Sequence, residues 1–236
     1  MRLENKVAVV TGSSSGIGEA IALAFSAEGA AVVVNYSRHE DAAQKVLDKI
    51  ENAGGKGLVV GADVSDPKEV EAMVQRAAGT FGRLDIMVNN AGMERKMPFL
   101  ETPFEVWQQT IAVNLTGPWL GCQAAAKQMV AQGEGGRIIN VSSVHEDLAM
   151  PTNSPYCATK GGVRMLMRTL AVELAPHDIT VNNIAPGAIE TPMDAPLEQN
   201  PDQMKKLLSE IPSAEWANRK RSRSWPSSSP RTTPPT

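Results

Sequence analysis

The sequence is poor in cysteine, in aromatic residues and in long apolar runs, and each shortage excludes a class of protein. Two cysteines among 236 residues cannot form a disulfide framework and suit a reducing cytoplasm. No apolar run approaches the roughly 18 residues that a membrane-spanning helix needs, and the N-terminus lacks the layout of a signal peptide. We therefore expect a cytoplasmic protein with no membrane partner.

Strong net charge is also absent. The formal charge of −3 argues against a nucleic-acid partner over the bulk of the chain. No group of histidine, cysteine and acidic residues has the spacing of metal ligands, so we expect no metal site. With 42% hydrophobic residues, the chain is long enough to bury the core of one large α/β domain.

Short β-branched runs alternate with longer amphipathic stretches. The predicted strands are Val7–Val10, Ala31–Asn35, Gly57–Val60, Leu84–Asn89, Arg137–Val141 and Thr180–Ile184. The predicted helices are 17–28, 39–53, 67–82, 103–132 and 157–175. Because the strand runs are nearly all apolar, they are typical of a parallel sheet buried on both faces. The sequence predicts one domain over residues 1–212, a doubly wound parallel sheet in three layers of the Rossmann type.

A glycine-rich loop follows the first predicted strand and opens a helix. Its residues are Thr11-Gly12-Ser13-Ser14-Ser15-Gly16-Ile17-Gly18. Glycines allow a tight turn and let backbone amides approach a pyrophosphate at the positive end of a helix. The alternative is an ordinary turn between a strand and a helix. The position of the loop favours dinucleotide binding by Gly12, Ser14, Ser15, Gly16, Ile17 and Gly18.

The end of the second predicted strand bears on the choice of cofactor. Proteins of this fold that bind NAD normally have an acidic side chain there, which binds the ribose. This strand has none and ends Asn35-Tyr36-Ser37-Arg38. Asn35 and Ser37 can donate hydrogen bonds, and the Arg38 fork suits a 2′-phosphate. We therefore expect NADP to be accepted, beside NAD. The alternative is that Arg38 is a solvated surface charge.

Further cofactor contacts are predicted where later strands end. Asp63-Val64 follows the third strand and Asn90-Ala91-Gly92 follows the fourth. Open parallel sheets bind ligands at the carboxyl ends of their strands. Adenine and ribose contacts are expected at both places.

A candidate reactive pair lies on the last predicted helix. Tyr156 and Lys160 are one turn apart and share a face. A free phenol has a pKa near 10, and a nearby ammonium is a charge that favours its ionised form. Ser143, at the end of the fifth strand, could hold the same substrate oxygen as Tyr156. Asn114 interrupts the predicted helix 103–132 with a polar group able to hold water near Lys160.

Together these motifs resemble the short-chain dehydrogenase/reductase family. The resemblance extends from the N-terminus to about Pro212 and includes Pro186-Gly187. It implies that Tyr156 is the catalytic base, that Lys160 lowers the pKa of Tyr156 and contacts the nicotinamide ribose, and that Ser143 binds the reacting oxygen. It also implies that Asn114 completes a proton relay. Further cofactor contacts follow from it at Pro186, Gly187, Ile189 and Thr191.

Within the family, the stretch Ser142-Ser143-Val144-His145-Glu146 resembles the bacterial glucose 1-dehydrogenases. This implies oxidation of the anomeric CH–OH of glucose or a related sugar to gluconolactone, with hydride transferred to NAD(P). Glu94 and His145 are expected to bind the sugar beside Ser143 and Tyr156. Asp194 departs from the asparagine expected there. The alternatives are a 3-oxoacyl-thioester or carbonyl reductase of the same family, and a non-catalytic dinucleotide-binding regulator.

Residues 213–236 differ from the rest of the chain. They hold five basic residues, one acidic residue and four prolines, and no Val, Ile, Leu, Met or Phe. This composition predicts a disordered basic tail. Shifting the reading frame by one base permits the helix with which the family continues, so we hypothesise that the tail is a frameshift product. The resemblance implies a homotetramer, and loss of the last helix and strand is expected to weaken it.

Overall fold

Six parallel strands form one sheet in the computed structural model of the chain. The strands are β1 (Val7–Val10), β2 (Ala31–Tyr36), β3 (Lys56–Gly61), β4 (Ile86–Asn89), β5 (Gly136–Val141) and β6 (Ile179–Ile184). Their order across the sheet is β3-β2-β1-β4-β5-β6. The chain adds β2 and β3 on one side of β1, then crosses over and adds β4, β5 and β6 on the other side. All six predicted strands are present, with bounds that differ by up to two residues. This is the predicted doubly wound fold.

The structure describes residues 1–189 together with Lys205 and Ser209. The chain divides into two compact units, Met1–Gly187 and Ala188–Thr236. The sheet belongs to the first unit. The basic segment 213–236 and the expected domain boundary at 212 lie outside the described residues, so both remain predictions.

Helices cover both faces of the sheet. They are α1 (Gly16–Ala27), α2 (Glu40–Asn52), α3 (Pro67–Phe81), α4 (Phe104–Ile111), α5 (Gly117–Gln132) and α6 (Ser154–Glu173). One face of β1 presents Val9 to a core shared with Met73 of α3 and Met129 of α5. The other face presents Ala8 and Val10 to a core that includes α1 and α2. Two cores on opposite faces confirm the three-layer arrangement.

The long helix predicted over 103–132 is interrupted. Between α4 and α5, residues Ala112–Thr116 form a π-helical turn with Asn114 buried inside it. Pro118 has no N–H to donate to the carbonyl of Asn114, four residues earlier, so the regular helical bond cannot form there. Such turns occur frequently at functional sites. The sequence marked Asn114 as a polar position within one predicted helix, but the division into two helices and the π geometry depend on the tertiary structure.

Two further observations concern the helices. Helix α6 begins at Ser154, three residues before the predicted start, with Pro155 in its first turn. Proline is favoured there because its missing N–H has no partner to lose. Among the residues described, no helix is long and apolar enough to cross a membrane.

Candidate active site

Thr11 joins the glycine-rich loop to the segment that follows β4. Its backbone N–H donates to the carbonyl of Val88 at 2.9 Å, and its Oγ1 accepts from the N–H groups of Asn90 and Ala91 at 2.9 and 3.0 Å. The Asn90 amide donates back to the carbonyls of Thr11 and Gly12 at 2.8 and 3.1 Å. Asn90 therefore supports the loop, and Asn90-Ala91-Gly92 and the loop form one connected unit.

The loop needs glycine at three positions. Gly12 and Gly16 have φ angles of +60° and +62°, which disfavour other residues. A Cβ on Gly18 would lie 2.5 Å from both Asn90 Nδ2 and the Gly12 carbonyl oxygen. This crowding brings the backbone of α1 against the loop.

The start of α1 fits a pyrophosphate. Ser15 is the N-cap residue of α1, but its side chain makes no capping hydrogen bond. The first backbone N–H groups of a helix have no partner within the helix, and they attract an anion at its positive end. Ser14 and Ile17 are half-buried beside them and Ser15 is exposed. The start of α1 can therefore accept an anion such as a pyrophosphate.

Asn35 has a different position from the one expected. Its side chain lies beneath the loop, where Oδ1 accepts from Gly12 N–H at 3.0 Å. Its Nδ2 donates to the carbonyls of Val60 and Ala62 at 3.2 and 3.1 Å. With these bonds and 1% exposure, Asn35 ties the loop to β3 and is not directed at a cofactor ribose.

The other expected cofactor residues follow the ends of the strands. Ser37 and Arg38 are exposed after β2, and Arg38 forms no ion pair within the described part of the chain. The Asp63 carboxylate accepts from the N–H and hydroxyl of Ser65 at 2.9 and 2.7 Å. Val64 is buried, and a Cβ on Gly117 would lie 3.0 Å from its Cγ2.

The expected contacts after β6 are only partly described. The carbonyl of Pro186 accepts from Val144 N–H at 3.0 Å, which links the end of the first unit to the segment after β5. Gly187 closes that unit and Ile189 belongs to the second. Thr191 and Asp194 lie outside the described residues.

The structure brings Tyr156 and Lys160 together on α6. Lys160 Nζ lies 5.4 Å from the centre of the Tyr156 ring and donates to the Val141 carbonyl at 2.9 Å. The Lys160 residue is only 6% exposed. Burial lowers the pKa of Lys160 to about 8, against the opposing attraction of Glu146 and Glu94. A buried cation beside a phenol is the arrangement that favours phenolate.

Ser143 and His145 lie on the same side of the site. Ser143 is buried, and its Oγ accepts from His145 N–H at 3.2 Å. The His145 ring meets the Tyr156 ring edge-on, with centres 6.5 Å apart. Its Nδ1 lies 3.0 Å from the carbonyl oxygen of Leu148. Because a carbonyl oxygen only accepts, Nδ1 is the donor in this contact.

Asn114 is connected to the segment after β4. Its Oδ1 accepts from Met93 N–H at 2.8 Å and its Nδ2 donates to the Met93 carbonyl at 2.7 Å. The neighbouring Glu94 carboxylate accepts a hydrogen bond from Asn153. The Glu94 side chain is 15% exposed. Two asparagines therefore hold consecutive residues of this segment.

A row of three asparagine side chains was not predicted from the sequence. Asn89, Asn140 and Asn183 occupy the same register on β4, β5 and β6. Asn89 donates to Asn140 at 2.9 Å, and Asn140 donates to Asn183 at 3.1 Å. Asn183 donates in turn to Glu146 at 3.4 Å. The signal was an asparagine near the end of three predicted strands. Among the described residues, no three His, Cys, Asp or Glu side chains form a metal site.

Comparison with known proteins agrees with this geometry. The short chain dehydrogenase family model matches residues 6–202. The 3beta-hydroxysteroid dehydrogenase 1 of Eggerthella lenta is 46% identical over 200 residues, 85% of this chain and 77% of that protein. Glucose 1-dehydrogenase 2 of Bacillus subtilis is 42% identical over 207 residues, 87% and 80% of the two chains.

A solved structure extends the likeness to three dimensions. The gluconate 5-dehydrogenase from Burkholderia cenocepacia, in complex with NADP and tartrate, is 35% identical with a TM-score of 0.87. The match covers 92% of this chain and 85% of that one. The family match, the sheet order and the loop before α1 lead to one conclusion: this chain belongs to the short chain dehydrogenase family of NAD(P)-dependent oxidoreductases.

Proposed function

We propose that this enzyme oxidises the anomeric hydroxyl of a sugar of the glucose type to the lactone and passes hydride to NADP or NAD. The observation that carries the proposal is the polar surrounding of Tyr156. The His145 ring packs edge-on against the Tyr156 ring, and the shielded carboxylate of Glu94 is bonded to Asn153, the residue that precedes α6. A polyhydroxylated substrate needs several such hydrogen-bonding groups.

Each catalytic side chain has a distinct proposed task. Tyr156, as phenolate, accepts the proton of the substrate hydroxyl, and the Lys160 ammonium stabilises that phenolate. Ser143 holds the same substrate oxygen through its hydroxyl. Pro118 has no N–H to donate to the backbone carbonyl of Asn114. That carbonyl therefore holds a water molecule for proton exchange with Lys160. The nicotinamide cofactor, when bound, supplies the acceptor for the hydride.

The cofactor is proposed to lie across the carboxyl ends of the strands. The N–H groups at the start of α1, with Gly12, Ser14 and Ser15, would hold its pyrophosphate. Asp63, Val64 and the Asn90–Gly92 segment would line the adenosine side. Pro186, Gly187, Ile189 and Thr191 would line the nicotinamide side. Arg38 is proposed to bind the 2′-phosphate of NADP, since a guanidinium fork matches a phosphate.

A carbonyl reductase is the second candidate. The steroid dehydrogenase relative is 46% identical, slightly more than the glucose dehydrogenase relative at 42%. Ser143, Tyr156 and Lys160 would serve either direction and either substrate. The carboxylate of Glu94 favours the sugar, because a steroid offers few hydroxyl groups to bond to it.

A substrate panel separates the two candidates. We expect glucose with NADP+ or NAD+ to give a higher kcat/KM than a 3-oxoacyl thioester or a 3-ketosteroid with NADPH. Glu94→Gln should raise the KM for glucose at least about tenfold, the size expected for a lost charged hydrogen bond. The control is Glu101→Gln, which changes an exposed carboxylate between β4 and α4. Higher efficiency on the thioester or the steroid would contradict the proposal.

A further inference from the structure

Asn153 is the N-cap residue of α6, but it does not cap the helix with its side chain. An asparagine at this position normally accepts a hydrogen bond from the second or third N–H of the helix. No such bond is present in α6. The usual structural reason for an asparagine before a helix is therefore missing here.

The amide of Asn153 is directed at Glu94 instead. Its Nδ2 donates to Glu94 Oε1 and lies 3.3 Å from the sulfur of Met150. Asn153 is 1% exposed, and its Oδ1 has no hydrogen-bond partner within the described part of the chain. Leaving a buried acceptor unpaired costs free energy, which the bond to the charged carboxylate helps to offset.

The bond between Asn153 and Glu94 connects the segment after β4 to the start of α6. Glu94 follows Met93, whose N–H and carbonyl are both bonded to Asn114. Asn153 directly precedes α6, three residues before Tyr156. One side chain therefore sets the position of the Glu94 carboxylate relative to the phenol. A substrate held by both must match that separation.

We propose that Asn153 is a positioning residue that selects polyhydroxylated substrates by holding Glu94 Oε1, so that the other carboxylate oxygen accepts from a substrate hydroxyl. The inference rests on the proposed sugar oxidation. A carboxylate fixed in advance loses less conformational entropy when substrate binds. Asn153 acts through Glu94 and has no contact of its own with the reacting atoms.

Replacing the amide by a carboxyl tests the arrangement directly. Asn153→Asp keeps the size and shape of the side chain but sets one carboxylate against another. In the described part of the chain, the other charged groups recorded as acting on Glu94 are Lys96, whose Nζ lies 3.7 Å from Glu94 Oε1, and Lys160, whose attraction to Glu94 acts over a longer range. At pH 8 we expect the KM for glucose to rise at least about tenfold, with kcat within about threefold of the parent.

The effect should depend on pH. As the pH falls towards 5, one of the two carboxyls in Asn153→Asp takes a proton and can donate to the other. The KM for glucose should then return towards the parent value. Loss of packing alone would not reverse with pH. Asn153→Ser should raise the KM for glucose less than Asn153→Asp does at pH 8, by a factor that does not change with pH, and Ser154→Ala, an exposed neighbour, should match the parent.

A substrate without extra hydroxyl groups completes the experiment. With cyclohexanol, Asn153→Asp and Asn153→Ser should differ from the parent by less than about twofold, and the KM for NADP should not change. Equal losses on glucose and cyclohexanol, or a parental KM for glucose in both variants, would overturn the inference while sugar oxidation stands. A parent enzyme that oxidises no sugar would overturn the proposed function and this inference with it.

Discussion

Two buried charges lie towards opposite ends of the sheet, and their surroundings differ. Asp85 precedes β4, at the amino end of the strands. Its carboxylate accepts from Arg83 Nε at 2.7 Å, Lys6 Nζ at 3.0 Å and Val7 N–H at 2.9 Å. Burial alone would raise the pKa of Asp85, but these donors outweigh it and lower the pKa.

Lys160 lies at the other end, near the last residue of β5. Its ammonium donates to one neutral acceptor, the Val141 carbonyl. Within the described part of the chain it forms no ion pair, and its pKa falls to about 8. The contrast separates a charge with bonded partners from a buried cation that we propose takes part in the chemistry. A compensated charge stabilises the fold, whereas an uncompensated cation is free to stabilise an anion formed nearby.

Replacing Tyr156, the phenol beside Lys160, should have the largest effect. We expect Tyr156→Phe to lower kcat for alcohol oxidation at least about a thousandfold, because the variant has no oxygen to accept the proton. Steady-state NADPH formation measures this loss. The thermal midpoint should stay close to that of the parent. A variant that oxidises alcohols at the parental rate would remove Tyr156 from the mechanism.

Removing the uncompensated cation should separate activity from stability. Lys160→Met is expected to lower kcat about a hundredfold. Its thermal midpoint at pH 7 should be at least that of the parent, since burying the ammonium costs free energy. The folded pKa is depressed, so this cost is full below pH 8 and disappears above the unfolded value of 10.5. Melting curves from pH 7 to 10.5 should show the parent gaining stability relative to the variant.

Removing the compensated charge should have the opposite outcome. Asp85→Asn is expected to lower the free energy of unfolding by about 2 kcal/mol near pH 7, because Arg83 and Lys6 lose their shared partner. The kcat of the folded enzyme should not change. Because the folded pKa of Asp85 is depressed, its contribution is present above about pH 4 and is lost as the pH falls through the folded pKa. Denaturant titrations that give equal stabilities at pH 7 would contradict the comparison.

An exposed cation gives the smallest expected effect. Arg38→Ala should raise the KM for NADP about tenfold and leave the KM for NAD and the stability unchanged, because exposed charges contribute little to folding. Arg168→Ala, on α6, is a control for general charge loss. An unchanged KM for NADP would show that Arg38 is a solvated surface charge.

Some parts of the structure could be predicted from the sequence and others could not, for different physical reasons. Apolar runs such as Val7–Val10 predicted the strands because burial on both faces leaves a continuous hydrophobic pattern. The predicted helix 67–82 and α3 both begin at Pro67, since the Asp66 side chain that caps α3 makes a local interaction. The roles of Asn35 and Asn153 were not predictable in this way. Their partners, Gly12 and Glu94, are 23 and 59 residues away.

The amino-acid sequence by itself therefore determined the layered fold, the glycine-rich turn and the spacing of Tyr156 and Lys160, because each depends on periodicity or on neighbours within one turn. Only the tertiary structure decided which asparagines support the loop, which carboxylates attract Lys160, and that its ammonium is buried with no ion pair among the described residues. Those properties arise where strands distant in sequence end side by side, so burial and charge there come from the assembled sheet.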